Sequence, residues 1–397
     1  MPDDPLLPSI DFAERRTAAL RICQEHGLDG LVVGAMGSAL GINTQAQGYM
    51  RFLAGWDSVD TPSLLLLRPD RRPLLLVASP HMQKMAAQAL TDIEVTLAAP
   101  EDYGPRLSLA LAGVAAVGLC GCEELPLRVW NGVAPVLPRK QEPDAAALIA
   151  PLRLVKDAAQ LERHRRGAAI CDRMFAQLGE IELVGRPSFA IKADLDHVAM
   201  AAGAEALRSW LTVGRSIDYP RYFPAENRRV AAAGDRLIFG MMLTVDGLWT
   251  HAVRSFHLGP ATDAAHRIQD AVVAFQRETA DAMCVGADLA QVARDAYARV
   301  EAVYDVTGTR DVRLLRLAHG LGYSYADPIV SDAFPRSFQA SDVEARSVRL
   351  ESGMVFELHP LLMFDDGGAG VGDTLLVGPE GGTFLTEFPR ALRELTV

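Results

Sequence analysis

The sequence is short of cysteine, of basic charge and of long apolar runs. Five cysteines, Cys23, Cys120, Cys122, Cys171 and Cys284, are few, odd in number and scattered, which argues against a disulfide framework or a zinc ribbon. Cys120-Gly121-Cys122 reads as two ordinary thiols at the end of a buried strand. Lys and Arg total 39 against 50 Asp and Glu, for a net charge of −11. No basic excess is left to attract a phosphate backbone, and nucleic acid is not an expected partner. The apolar stretches fall well short of the ~20 residues that cross a bilayer, so no membrane partner is expected. Met1-Pro2-Asp3-Asp4-Pro5 holds acids and prolines where a secretory signal carries basic residues and an apolar run, and a cytoplasmic location is the expectation.

What is present is a chain of 397 residues, 49% hydrophobic and 22% charged. That is globular composition with length for two or three domains. Residues 1–150 read as a small α/β domain. Leu31-Val32-Val33 follows a helical stretch and Gly27, while Leu64–Leu67 and Leu74–Val77 are apolar runs joined by a proline-bearing turn. Val114–Cys120 is a further buried-strand candidate. The polar, proline-bearing Gln141–Asp144 places a boundary near residue 150, after which a helical pattern runs from Arg153 to about Leu178.

Residues 151–397 form the expected second domain, helical at first and strand-rich after Tyr219. Gly234-Asp235 opens an apolar run to Val245, and Asp246-Gly247 signals a hairpin turn into Leu248–Leu258. Helical periodicity from about Thr262 to Val303 is interrupted at Val285-Gly286. Met354–Leu362 and Thr374–Val377 read as strands around the Gly-rich Asp365–Gly372.

Of the nine histidines, His26, His81, His164, His197 and His266 lie where a solvated or capping role is expected. His257 shares strand parity with His251, but six residues at ~3.3 Å each place it some 20 Å off. His251 falls in the second strand of the hairpin, His319 in Ala318-His319-Gly320-Leu321-Gly322, and His359 in Val355-Phe356-Glu357-Leu358-His359-Pro360. A lone strand histidine is more often a satisfied core residue, so any functional reading of these three rests on their joint arrangement.

The motif order is specific. Gly234-Asp235 with the hairpin ending Arg254-Ser255-Phe256, then His319-Gly320-Leu321-Gly322, then Leu350–Phe356, then Gly372-Asp373-Thr374 resembles the pita-bread family of creatinase, prolidase and aminopeptidase P, peptidase family M24. The small N-terminal domain and the Arg153–Asp157 segment fit the same family, and the resemblance covers essentially the whole chain. It implies an α/β (α+β) fold, with a creatinase-like domain over 1–150 and a pita-bread catalytic domain over 151–397. It also implies a homodimer, with a residue from Tyr49–Asp60 reaching the partner's pocket.

Peptidases of that family hold two metal ions with Asp, Asp, His, Glu and Glu. Carried onto this chain, those positions are Gly240, His251, His319, His359 and Gly372. The three that serve one site are all imidazoles, and the residue exclusive to the other site is a glycine. Three neutral nitrogen donors with an open position suit one divalent transition metal, Fe, Zn or Mn. The competing expectation is a metal-free, creatinase-like enzyme or a catalytically silent binding module, with the imidazoles hydrogen-bonding or moving protons. The creatinase positions, however, fall on Arg221 or Tyr222, Val253 and His359.

Glu357, two residues before His359, shares its strand face. It is a candidate catalytic acid or base, or alternatively the acceptor of a ligating imidazole's proton. Arg221, Tyr222 and Tyr323 are candidate substrate-binding residues, the guanidinium suiting a carboxylate. Asp373 is expected to be structural. The function implied is that of a non-peptidase enzyme acting on a small, polar, carboxylate-bearing molecule by C–N bond hydrolysis. An oxygenase or lyase on the same site is the alternative.

Overall fold

In a computed structural model of the chain, residues 7–37, 48–59, 61–142, 145–215, 228–307, 313–325, 348–364 and 367–397 are described. The chain divides into two compact units, Met1–Leu154 with Gly322–Pro328 and Val155–Leu321 with Ile329–Val397. Its mixed α/β architecture agrees with the class expected from sequence.

The first unit is built on a six-stranded sheet: β1 (Gly30–Met36), β2 (Pro62–Leu67), β3 (Leu74–Val77), β4 (Glu94–Leu97), β5 (Ala116–Cys120) and β6 (Lys140–Glu142). Their order is β4-β3-β2-β1-β5-β6. β1, β2 and β3 pair antiparallel, and the other pairs are parallel. Strands buried on both faces carry continuous apolar runs rather than alternation, and Leu64–Leu67 and Leu74–Val77 are all buried. Cys120 and Cys122 are buried at the end of β5, with Gly121 between them in the left-handed region at φ 63°. Burial pushes the Cys122 thiol up to about 12 and the Cys120 thiol well above its ordinary 9.0, so both are inert at neutral pH.

The second unit carries two sheets. One has the order β15-β9-β8-β7, from β7 (Ala206–Gly214), β8 (Arg236–Val245), β9 (Leu248–Leu258) and β15 (Arg393–Leu395). The other runs β10-β11-β13-β14, from β10 (Arg313–Gly320), β11 (Val355–Phe364), β13 (Asp373–Gly378) and β14 (Gly381–Phe384), with β12 (Gly367–Gly370) beside β11. Helix Ala158–Gln177 packs on β8 and β9, helix Ser188–Ala201 on β7, and helix Asp263–Ala282 on β11. At Gly167 an added Cβ would lie 2.3 Å from Thr250 Oγ1, so only glycine lets that helix press against β9 beside His251.

The expected hairpin is present. Asp246 and Gly247 both adopt positive φ, 46° and 79°, the signature of a type I′ turn whose twist suits paired strands. Other expectations need correction. The helical pattern from Arg153 to Leu178 breaks at Val155–Asp157, because Val155 bridges Met354 and Asp157 begins a capping box with Gln160. Strand β7 precedes Tyr219, so strand content begins earlier than its sequence signals. The Gly-rich segment contributes a strand, β12, where a connection was expected. His164 is neither solvated nor a cap: it is fully buried.

A polar clamp joins the two sheets of the second unit. The buried Asp373 carboxylate accepts from Arg254 Nη2 at 2.7 Å, from Arg390 Nη2 at 2.9 Å and from Gln276 Nε2 at 2.9 Å. Arg254, itself buried, also donates through Nη1 to the Gly372 carbonyl at 2.8 Å and through Nη2 to the Phe388 carbonyl at 2.9 Å. Beside the clamp, Val253 and Gly372 exchange backbone hydrogen bonds of 2.9 and 3.0 Å.

Burial of ionisable groups sets two expectations. Replacing Asp373 by Ala strands two guanidinium groups, and a cost of about 3–5 kcal/mol is expected in denaturant unfolding; a loss below about 1 kcal/mol would contradict the clamp. Burial lowers His164 from 6.5 to about 3. Between those values the unfolded chain binds the extra proton, so stability is full above about 6.5 and falls as pH drops. From pH 7 to 5 this residue should remove about 2 kcal/mol, and His164→Gln should flatten that slope in chemical denaturation. An unchanged slope would refute it.

Candidate metal centre

Strand alternation sends Thr250 toward the helix and His251 to the opposite face of β9. There His251 is held at its backbone: its N–H donates to Thr374 Oγ1 at 3.2 Å, and the Thr374 hydroxyl donates to its carbonyl at 3.0 Å. Thr374 on β13 pairs with Glu357 on β11, and Glu357 pairs with His319 on β10. Directly paired residues share a sheet face, as do residues two apart on one strand, which adds His359. The four side chains are thus brought together by register: His251 and Glu357 are fully buried, His359 is 4% exposed, and the His319 side chain is 12% exposed.

Glu357 lies at the junction. Its Oε1 is 2.7 Å from His359 Nδ1 and also contacts His251 Nδ1, while its Oε2 contacts His319 Nε2. One donor atom from each of His251, Glu357 and His359 lies within 4.8 Å of the others. The His251 and His359 rings stand 5.0 Å apart between centroids. Asp373 lies behind this face in the clamp, as its expected structural role requires.

The hydrogen bonding of His319 bears on what this cluster can hold. Its Nδ1 lies 2.9 Å from the Gly320 carbonyl; a carbonyl only accepts, so Nδ1 carries a hydrogen, and in the neutral form of the ring Nε2 then holds the lone pair. That lone pair faces a carboxylate oxygen. Two acceptors in contact require a proton or a cation between them, and an imidazole oriented through a backbone carbonyl is the common posture of a metal ligand. The donor atoms of His251, Glu357 and His359 lie close enough together for one ion, and imidazole with carboxylate suits a divalent transition ion; His319 contacts the same carboxylate.

Arg221 and Tyr222 lie outside the described residues. Tyr323 belongs to the first unit, where it is buried, accepts a hydrogen bond from Arg15 at 3.0 Å and packs edge-on against Phe52. His257, farther along β9, contacts the Gly259 carbonyl through Nδ1.

Sequence reasoning missed Trp210. On β7 it pairs with Gly240 of β8, and its ring stacks on His251 at 5.3 Å with 27° between planes. A signal for it did exist: a lone glycine inside an otherwise bulky apolar strand marks close approach by another group.

Comparison with known proteins places this geometry in a family. Residues 162–379, more than half of the chain, match the family model for metallopeptidase family M24. The probable dipeptidase PepE of Mycobacterium tuberculosis (strain ATCC 25618 / H37Rv) is 24% identical over 271 residues, 68% of this chain and 66% of that protein. The match thus spans slightly less than two thirds of that relative. The X-Pro aminopeptidase from Thermotoga maritima MSB8 superposes with a TM-score of 0.78 at 17% identity, over 96% of this chain and 99% of the other. Dipeptidase PepE from Mycobacterium ulcerans gives 0.75 at 22% identity, over 98% and 100%. At these identities the structures show a shared fold; with the family match, they establish that the chain belongs to metallopeptidase family M24.

Proposed function

We propose that this chain is a metal-dependent hydrolase that is not a peptidase, with His251, His319, His359 and Glu357 holding a single divalent Fe, Zn or Mn ion. Its substrate is a small, polar, carboxylate-bearing molecule, and the reaction is hydrolysis of a C–N bond. The observation that carries this reading is the convergence of three imidazoles on one buried carboxylate, with His319 Nε2 turned toward it. A single ion is supported by the absence of a side chain at Gly240 and Gly372, the two glycines that flank this face.

The ion, when bound, supplies Lewis-acid polarisation of the substrate. The protein's part is orientation and proton handling. The Gly320 carbonyl fixes the His319 tautomer, and the paired hydrogen bonds between Thr374 and His251 hold β9 at the correct distance. Glu357 is the only carboxylate of the four groups, so it balances the cation's charge and is the group assigned to move a proton. Substrate carboxylate recognition is assigned to Arg221 and Tyr222, whereas Tyr323, engaged with Arg15 and Phe52, is assigned to packing. The homodimer implied by the family resemblance is part of the proposal, and light scattering reads it directly.

Neutral imidazole donors also suit a redox-active ion, which supports an oxygenase or lyase as the second reading. Turnover that requires air would favour it over hydrolysis.

Elemental analysis of untagged protein is expected to find about one equivalent of metal, reduced at least tenfold by His251→Ala, His319→Ala or His359→Ala. Glu357→Gln should weaken binding while leaving detectable metal, and should lower turnover by about 10²–10⁴. Wild-type protein that takes up no metal after reconstitution would overturn the metal reading. Efficient cleavage of Xaa-Pro dipeptides would overturn the non-peptidase assignment.

A further inference from the structure

We propose that Trp210 is the positioning residue of this centre: its indole, seated over Gly240, holds the His251 imidazole in the orientation that captures the ion. The inference rests on the metal-binding reading above and extends it to a residue outside the donor set.

The geometry is unusual for a sheet. Trp210 and His251 lie on β7 and β9, with β8 between them, so their backbones are separated by two strand spacings of ~4.8 Å each. Trp210 pairs with Gly240 and His251 with Met242, which puts all four on one face. For the two rings to stack at 5.3 Å, they must lean toward one another over the intervening strand. That is possible only where β8 has no side chain. A Cβ built on Gly240 would lie 2.2 Å from Trp210 Cζ2 and 2.5 Å from Cε2, so glycine at 240 and indole at 210 are coupled choices.

The stack has two consequences for the centre. The indole covers one face of His251, restricts rotation of its ring and excludes water from that side. It also occupies the space above Gly240, so no further donor can enter from β8 while the tryptophan is in place. A ligand held within a few tenths of an ångström needs such packing support as much as it needs hydrogen bonds.

The test uses the full chain and Co²⁺ as probe, with affinity read by chelator competition and ligand geometry by the visible absorption of the bound ion. Trp210→Leu fills the space without a flat face, whereas Trp210→Phe retains one. Trp210→Leu should weaken Co²⁺ binding roughly tenfold to a hundredfold and shift its spectrum, while Trp210→Phe should stay within about threefold of wild type. Gly240→Ala should weaken binding to a similar degree, by displacing the indole. The double variant Trp210→Leu/Gly240→Ala should be no weaker than Trp210→Leu alone. Circular dichroism checks that each variant is folded, and the Phe variant serves as the conservative rescue.

If folded Trp210→Leu and Gly240→Ala bind Co²⁺ within about twofold of wild type with an unchanged spectrum, the proposal is overturned while the metal reading stands. Additive losses in the double variant would likewise overturn it. A wild-type protein that binds no Co²⁺ would overturn the metal reading itself, and this inference with it.

Discussion

The second unit depends on one buried carboxylate. Asp373 accepts hydrogen bonds from two guanidinium groups and a glutamine contributed by different segments, and Arg254 spends its other donors on backbone carbonyls. Buried charge of this kind is tolerated only when it is almost fully paired, so the clamp specifies one relative placement of β9 and β13. Because strand faces alternate, fixing Arg254 and Asp373 on one side also fixes His251 and Thr374 on the other. The centre lies on the reverse side of that clamp, and its geometry follows from it.

Glycines do a second part of the work, by omission. Gly167 lets a helix press against the back of β9, and Gly240 lets an indole cross β8 to reach an imidazole. In both cases the glycine supplies the room that its neighbour occupies.

Membership of the M24 family supplies the scaffold, but a scaffold does not settle a reaction. The solved relatives include an X-Pro aminopeptidase and a dipeptidase. In this chain the cluster consists of three imidazoles around one carboxylate. With one carboxylate among its four groups, the cluster carries little negative charge, which bears on the chemistry open to an ion bound there. The proposed function follows the residues of this cluster rather than the relatives' names.

Much was legible in the sequence because it depends on local rules. The hairpin at Asp246-Gly247 follows from residues that accept positive φ, the buried strands of the first unit from continuous apolar runs, and the shared face of Glu357 and His359 from period-two alternation. The break at Val155–Asp157 was not legible, since an unbroken helical pattern there is overridden by a bridge to Met354, nearly two hundred residues away. The burial of His164 was hidden for the same reason: helical periodicity does not say how many elements will pack against a helix. The sequence by itself determined which imidazoles and carboxylates exist and that Glu357 and His359 share a strand face. Only the tertiary structure decided that Glu357 sits at the junction of the three imidazoles and that Trp210 reaches over Gly240 to His251, because cross-strand register and packing across sheets arise from contacts between residues far apart along the chain.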